Sequence, residues 1–445
     1  MNVSFLQIIL FLIAGIVAII LLTVKFKIHP FFALLIACFV TGIGVEIPVD
    51  TILQYIKTGF GDMIGRLSVI IVLGTTIGVL LEKNGSTQVM ANAILKMVGP
   101  KRSSLALSIT GFIVGLPIFC DSGYIVLNGI NKSLVKRSGV TIATMSISLA
   151  SGLYAVHCLL PPHPGATVAA SALRLDIGLV ILCGFFIAIP AMLVGHWWAV
   201  YAGRNTPAAF GTDDEEKEVN NDRNRPDVFL AFLPVVVPII LMAIRSVIGL
   251  ETGVRDSVIS QIFFLMGDPA IALAVGVILA LATGRYKKGE LSQHLSSAVE
   301  KAGGILVIIG AGGAFGTVLA ATDIGTHFSK LLDLKTAGIW FPFLLTTILK
   351  TAQGSSTVAI ITASSIIVPL LSSLGLDSDN GALLTALAMG AGSIMISHTN
   401  DAYFWVISRF SSIDIRTMLR VHSVASVLMG LVTMIIVYIL SVIIL

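Results

Sequence analysis

Charge is what this chain of 445 residues has least of. Asp, Glu, Lys and Arg make up 12% of it, against about 25% in a soluble domain, whose surface they keep wet. That shortage excludes a water-soluble enzyme of this length. The charge present nearly balances, at a net +4 spread over short loops. It forms no basic stripe of the kind that holds a nucleic acid. Cysteine is scarce too. Cys38, Cys120, Cys158 and Cys183 each sit inside an apolar run without CxxC spacing, which excludes a disulfide framework and a zinc cage. No HExxH, Walker A or GxSxG motif occurs. The run GAGGAF at 310–315 lacks the third glycine and the βαβ setting of a dinucleotide site. No cofactor is implied. The first apolar run begins at Phe5 without a basic leader or a small-residue cleavage site, so it is expected to be a retained helix.

What fills the chain is hydrophobic sequence, 56% of it, in runs near the ~20 residues that carry a helix across a bilayer core. Uninterrupted runs lie at 5–24, 30–47, 67–81, 177–201, 228–248, 270–282, 305–321 and 421–445. Four others, at 105–135, 142–173, 339–371 and 383–407, are broken by Gly, Pro, Asp, His or Asn. The polar stretch 204–227, with DDEEKE and NDRNRPD, reads as a cytoplasmic linker between a first repeat, 1–203, and a second, 228–445. Gly74 and Gly78 in VLGTTIGVLL recur 238 residues later as Gly312 and Gly316 in GAGGAFGTVL. Around each pair the order of elements is the same: an amphipathic stretch (49–63, then 289–301), the glycine-bearing helix, and another amphipathic stretch (87–98, then 326–334). An interrupted hairpin and an interrupted helix follow. Matching hydropathy of this kind is a signature of transporters. With the amino terminus outside and both hairpins re-entrant, 20 of the 28 Lys and Arg fall on the linker side and 7 on the other, while Lys350 lies in the membrane. Basic residues favour the cytoplasm, so the two repeats are expected to be inverted and the linker inside. The fold class expected is an all-α polytopic membrane protein with two inverted repeats, each bearing a re-entrant hairpin and a broken helix, of the elevator type.

Lipid offers no partners to free backbone groups, so broken helices belong where protein or water covers them. The first break, 115–127, carries Asp121, Ser122 and Gly123, and the second, 156–170, carries His157, Pro161, Pro162, His163, Pro164 and Gly165. The third, 349–362, carries Lys350, Gln353, Gly354, Ser355, Ser356 and Thr357, and the fourth, 397–406, carries His398, Thr399, Asn400 and Asp401. Half-helix amino termini at such breaks suit a carboxylate. Each has a plainer reading. The hydroxyls often bond back to their own helix, the prolines kink, and His157 packs. Asp121 and Lys350 each find a structural partner, and Asp401 and His398 sit solvated near the cytoplasmic end. An unpaired charge in lipid costs at least ~2.5 kcal/mol, which favours function for Asp121 and Lys350. The GxxxG spacings (GTTIG, GFIVG, GGAFG) point to close helix packing.

These residues also carry a resemblance. HCLLPPHPG at 157–165, DSGYIVL at 121–127, VIIGAGGAFGTVL at 307–319, QGSSTVAIIT at 353–362 and SHTNDAYFW at 397–405 resemble the gluconate permease (GntP) family, as does the early VKFKIHPFFALL. The resemblance covers nearly the whole chain. It implies a secondary transporter of the ion-transporter superfamily, multi-pass in a bacterial inner membrane, taking up gluconate, another sugar acid or D-serine, usually with protons rather than sodium. It also implies a homodimer in which the hairpin-bearing domain moves like an elevator. Members known for gluconate typically have Glu-Val-Gly-Phe where this chain has Asp121, Ser122, Gly123 and Tyr124, and Ala where it has Ser356. Those changes point to a polyhydroxy acid of a different size.

The expected substrate ligands are Ser122, Gly123, His163, Gly354, Ser355, Ser356, Thr357 and Asn400, with Lys350 offsetting the carboxylate. Asp121 leads His157 and Asp401 as proton carrier, with Lys350 as its nearest cation. Two rivals from other classes are a membrane enzyme with metal on His157, His163 and His398, and an anion channel. The first lacks a carboxylate at ligand spacing, and the second has no need of hairpins from both sides.

Overall fold

The computed structural model describes residues 5–99, 102–204, 206, 226–250, 258–284, 286, 289–322, 337–399 and 401–445. Most of the linker, the amphipathic stretch at 326–334 and Asn400 lie outside the described residues. Among the described residues every regular element is a helix. Seven helices among them are long and apolar enough to cross a bilayer, or eight if Ser260–Met266 and Pro269–Thr283, bent by 73°, form one span.

The chain opens with α1 (Phe5–Ile20), α2 (Pro30–Gly44) and the long α3 (Val49–Lys83), then α4 (Ser86–Val98). The first hairpin is α5 (Ser103–Gly115) and α6 (Cys120–Ser138), and the first broken helix is α7 (Ile142–Leu159) and α8 (Pro164–Ala172). After α9 (Ile177–Gly203) come α10 (Val228–Leu250), α11 (Val258–Met266), α12 (Pro269–Thr283) and the second long helix, α13 (Glu290–Ala321). The second hairpin is α14 (Trp340–Gln353) and α15 (Ser356–Ile367), and the second broken helix is α16 (Asp379–Ile394) and α17 (Ala402–Phe410). A short α18 (Ile415–Met418) leads through one π turn into α19 (Val424–Ile444).

The helix starts are legible in local chemistry. Pro30, Pro164 and Pro269 occupy first turns, where the missing N–H costs nothing. Asp176, Asp268, Ser378, Asp401 and Asp414 each cap a helix by accepting from a backbone N–H of its first turn.

One expectation fails in both halves. The amphipathic stretches 49–63 and 289–301 were separated from the apolar runs after them, yet each is continuous with its successor, in helices of 35 and 32 residues. The polar residues between change which face is wet, but no proline or cap stops the helix, and a glycine costs only about 1 kcal/mol there.

The long helices lie against each other. At Gly59 and Gly313 a Cβ would stand 2.4 and 2.5 Å from the other helix's carbonyl oxygen, so both must be small. Further along α3, Gly74 lets Pro162 of the first broken helix approach, and Gly78 meets the Pro117 carbonyl at the tip of the first hairpin. On α13, Gly312 meets Ile361 of the second hairpin. The long helices thus form the wall on which the breaks rest. In the middle runs the first broken helix, with 94% of its apolar window buried, whereas α1 buries only 22% of its own. Outer helices such as α1 and α19 expose Leu6, Val442 and Ile443, as helices facing lipid do.

Candidate functional site

The four breaks form a closed circuit of contacts. The first hairpin turns at Phe119, whose ring lies 6.2 Å from the rings of His157 and His163 in the first broken helix. That helix meets the second hairpin at Gly165, where a Cβ would touch Thr357 Cα at 3.4 Å and Ile360 at 2.8 Å. The second hairpin meets the second broken helix through Lys350 Nζ and Asp401 Oδ2, 2.7 Å apart. The second broken helix returns to the first hairpin, where Tyr124 OH and Ser411 Oγ bond at 2.6 Å and Asn128 Nδ2 donates to Phe410 O at 3.0 Å. Helix amino termini at Cys120, Pro164, Ser356 and Ala402 stand at these breaks. Each ends a helix dipole with a partial positive charge.

Lys350 lies in the last turn of α14, with a side chain 0% exposed, and its partner Asp401 is 7% exposed. Asp401 Oδ2 also accepts from Ser397 Oγ at 2.5 Å, and its Oδ1 accepts from the Tyr403 N–H at 3.0 Å as the cap of α17. The solvated position considered for Asp401 is therefore not the one it occupies. Nor is Asp121 the partner of Lys350. Asp121 sits in the first turn of α6, where the hydrogen bond its carboxylate makes among the described residues is a long contact from Cys120 Sγ at 3.9 Å. Sequence spacing shows which runs hold charge, but not which of two acids a helix crossing brings to a lysine.

The other expected residues divide by the partners they already have. His163 is buried and donates Nε2–H to Gly115 O at 2.7 Å, which ties the second break to the first. Gly123 gives its N–H to Phe119 O at 2.8 Å and presses on Leu153. Ser122 lies beside it, half-buried. Ser355 caps α15, accepting from the Val358 N–H at 3.3 Å. Ser356 Oγ lies 2.8 Å from Tyr154 OH, and both hydroxyls reach Ser393 O, at 3.0 and 3.2 Å. Gly354 turns the hairpin at φ +73°. His398 donates Nε2–H to Thr351 O at 3.1 Å, away from the His157–His163 pair, whose rings lie 4.9 Å apart. Among the described residues no group of three His, Cys, Asp or Glu is gathered as metal ligands would be.

Among the described residues, four side-chain atoms within the breaks are buried without a partner: His157 Nδ1, Gln353 Nε2 and Oε1, and Thr362 Oγ1, the last well inside α15. Gln353 was noted in the sequence only as part of the third break. Ser397 opens the fourth break without being singled out there, and Tyr154, Ser393 and His422 lie in apolar runs with no assigned role. Of these His422 had a readable signal, an ionisable side chain inside the apolar run 421–445.

Broken helices facing one another inside a bilayer-spanning bundle, around a buried cation, define a membrane transporter rather than an enzyme. The model of the GntP family permeases matches residues 6–443, and the chain belongs to that family. It is 30% identical to the gluconate permease of Pseudomonas aeruginosa over 96% of each chain. It is 29% identical to the Gnt-II system L-idonate transporter of Escherichia coli, over 94% of this chain and 95% of that one. Among solved structures, the YdaH transporter of Alcanivorax borkumensis superposes with a TM-score of 0.58 at 15% identity, covering 89% of this chain and 90% of the other, a likeness of fold alone.

Proposed function

We propose that this permease, a multi-pass inner-membrane protein, is a secondary active symporter that takes up a small sugar acid or related hydroxycarboxylate with protons. The observation that carries the reading is that, among the described residues, His157 Nδ1 and the whole amide of Gln353, at the ends of α7 and α14 beside the breaks, are buried without partners. A buried polar atom without a partner costs about 1–3 kcal/mol, so these atoms favour a guest rich in hydroxyls. Lys350 supplies the cation for its carboxylate, and the amino termini at Cys120, Pro164, Ser356 and Ala402 add partial positive charge. Ser122, Ser355 and Thr357 complete the polar surround, and His163 positions the second break against the first. The family names agree with such a substrate, since relatives are called gluconate permease and L-idonate transporter.

Purified protein in vesicles should accumulate gluconate or L-idonate above equilibrium when a proton gradient is supplied, and a protonophore should abolish the accumulation. Accumulation that follows a sodium gradient and ignores pH would end the proton reading. Accumulation of D-serine in place of both sugar acids would move the substrate class.

The architecture that goes with this function is two inverted repeats, 1–203 and 228–445, working as a homodimer with an elevator-like movement of the hairpin-bearing part. The basic residues favour a cytoplasmic linker with both termini on the opposite side. A green fluorescent reporter at Asp214 should therefore light up and an alkaline phosphatase reporter there should stay silent, with the reverse after Leu445. Phosphatase activity at Asp214 would overturn the orientation.

A further inference from the structure

The buried pair of Lys350 and Asp401 has a consequence for coupling that rests on the sugar-acid reading. We infer that Asp401 is the proton site and that the substrate carboxylate replaces it on Lys350, so that one proton and one anion load together. As an ion pair, Asp401 carries −1 and Lys350 +1, with the lysine fully enclosed and the aspartate nearly so. An anion arriving alone leaves a net negative charge buried, and a proton arriving alone leaves Lys350 without its counter-ion. Either is costly, because an uncompensated charge in a buried pair is strongly destabilising.

When both arrive the balance closes. A proton binds the Asp401 carboxylate, the Nζ–H···Oδ2 contact breaks, and Lys350 Nζ donates instead to a carboxylate oxygen of the substrate. The sum of charge is zero before and after. On the other side of the membrane the substrate leaves, the proton is released, and the 2.7 Å pair re-forms.

The surroundings prepare this exchange. Ser397 Oγ has one hydrogen and gives it to Asp401 Oδ2, so the contact at 3.1 Å between His422 Nε2 and Ser397 Oγ has the histidine as donor. Ser397 is in turn fixed by Ser426 Oγ on its N–H at 3.0 Å and by Ser423 Oγ on its carbonyl at 2.5 Å. Ser397 and His422 are positioning residues that hold Oδ2 toward Lys350. The other ionisable groups around the pair among the described residues are Cys120 and Asp121 on α6, Tyr154, His157 and Cys158 on α7, His398 just before Asp401, Tyr403 on α17, and His422 itself.

Asp121 is the alternative carrier, and geometry separates the two acids. A proton on Asp121 leaves Lys350 still engaged by Asp401, so it opens no place for an anion. A proton on Asp401 opens one directly.

Titrating gluconate and L-idonate calorimetrically into the full-length protein, in two buffers of different protonation enthalpy, counts the protons taken up on binding. Wild type and Asp121→Asn should each take up about one proton per anion, and Asp401→Asn none. Asp401→Asn should still exchange substrate across vesicles while losing accumulation driven by a pH gradient. Among the described residues the Asp121 carboxylate has only the 3.9 Å contact from Cys120 Sγ to lose, so Asp121→Asn decides the matter if Asp401→Asn fails to fold. Binding to wild type without proton uptake overturns the inference alone, as does proton uptake lost in Asp121→Asn and kept in Asp401→Asn. Failure of wild type to bind either anion at any pH overturns the sugar-acid reading, and this inference with it.

Discussion

Lys350→Met should lower the stability of the purified protein by about 3–5 kcal/mol, because it leaves the Asp401 carboxylate buried without its cation. The ammonium is wholly enclosed, and among the described residues the carboxylate keeps Ser397 and the Tyr403 N–H as donors. Adding Asp401→Leu should restore most of that loss, since replacing both ions with apolar side chains removes the desolvation cost along with the attraction. The part not restored, about 1 kcal/mol, reflects the missing cap on α17. Thermal unfolding in detergent of wild type, Lys350→Met and the double variant reads this out. A double variant as unstable as the single one would refute the pairing. Neither variant should transport, so stability and function separate: the pair is dispensable for folding when removed whole.

Gly354→Val should abolish substrate binding while leaving membrane insertion intact. Gly354 ends α14 at φ +73°, ψ 11°, where its N–H closes the helix on Lys350 O at 2.8 Å. The next residue, Ser355, already caps α15. One left-handed residue therefore separates the turn that carries Lys350 and Gln353 from the turn that opens the next helix. An ordinary L residue there costs about 1–2 kcal/mol, and a β-branched one is a genuine outlier. Relief of that strain must move the hairpin tip, and each 1.4 kcal/mol lost in binding is roughly tenfold in affinity. Gly354→Ala should fall between the two. Calorimetric titration of gluconate into well-folded variants, with elution profiles to check folding, measures it. Wild-type affinity in Gly354→Val would remove the second hairpin's tip from the site.

Much of this was legible in the sequence because membrane helices advertise their faults. The turn at Gly354-Ser355, the prolines around His163 and the cap at Asp401 are local signals, and each marks a helix end in the structure. The permease class and the family followed from runs and motifs of the same local kind. What stayed hidden depends on which helices cross. Lys350 had two intramembrane acids to choose from, and only the meeting of α14 with the start of α17 selects Asp401. Tyr154 looks like one more core aromatic until α7 is seen against Ser356 and Ser393. The continuity of α3 and α13 was missed for the opposite reason. Their halves differ in polarity, which marks a change of solvent along one helix and not a change of structure.

That continuity has a mechanical side. A helix of 35 residues, as α3 is, measures about 52 Å, and α13, with 32 residues, about 48 Å. The hydrocarbon they cross is only ~30 Å thick, and an average tilt of about 20° absorbs little of the excess. The surplus must stand among headgroups or in water, which is where the exposed Asp50, Lys57, Asp62 and Arg66 of α3 and Glu300 and Lys301 of α13 belong. Thicker lipid would draw those charges toward hydrocarbon, and thinner lipid would leave apolar turns bare. Hydrophobic mismatch therefore acts as a load on the two rods against which Pro162 and Ile361 rest, and acyl-chain length becomes a force applied at the breaks.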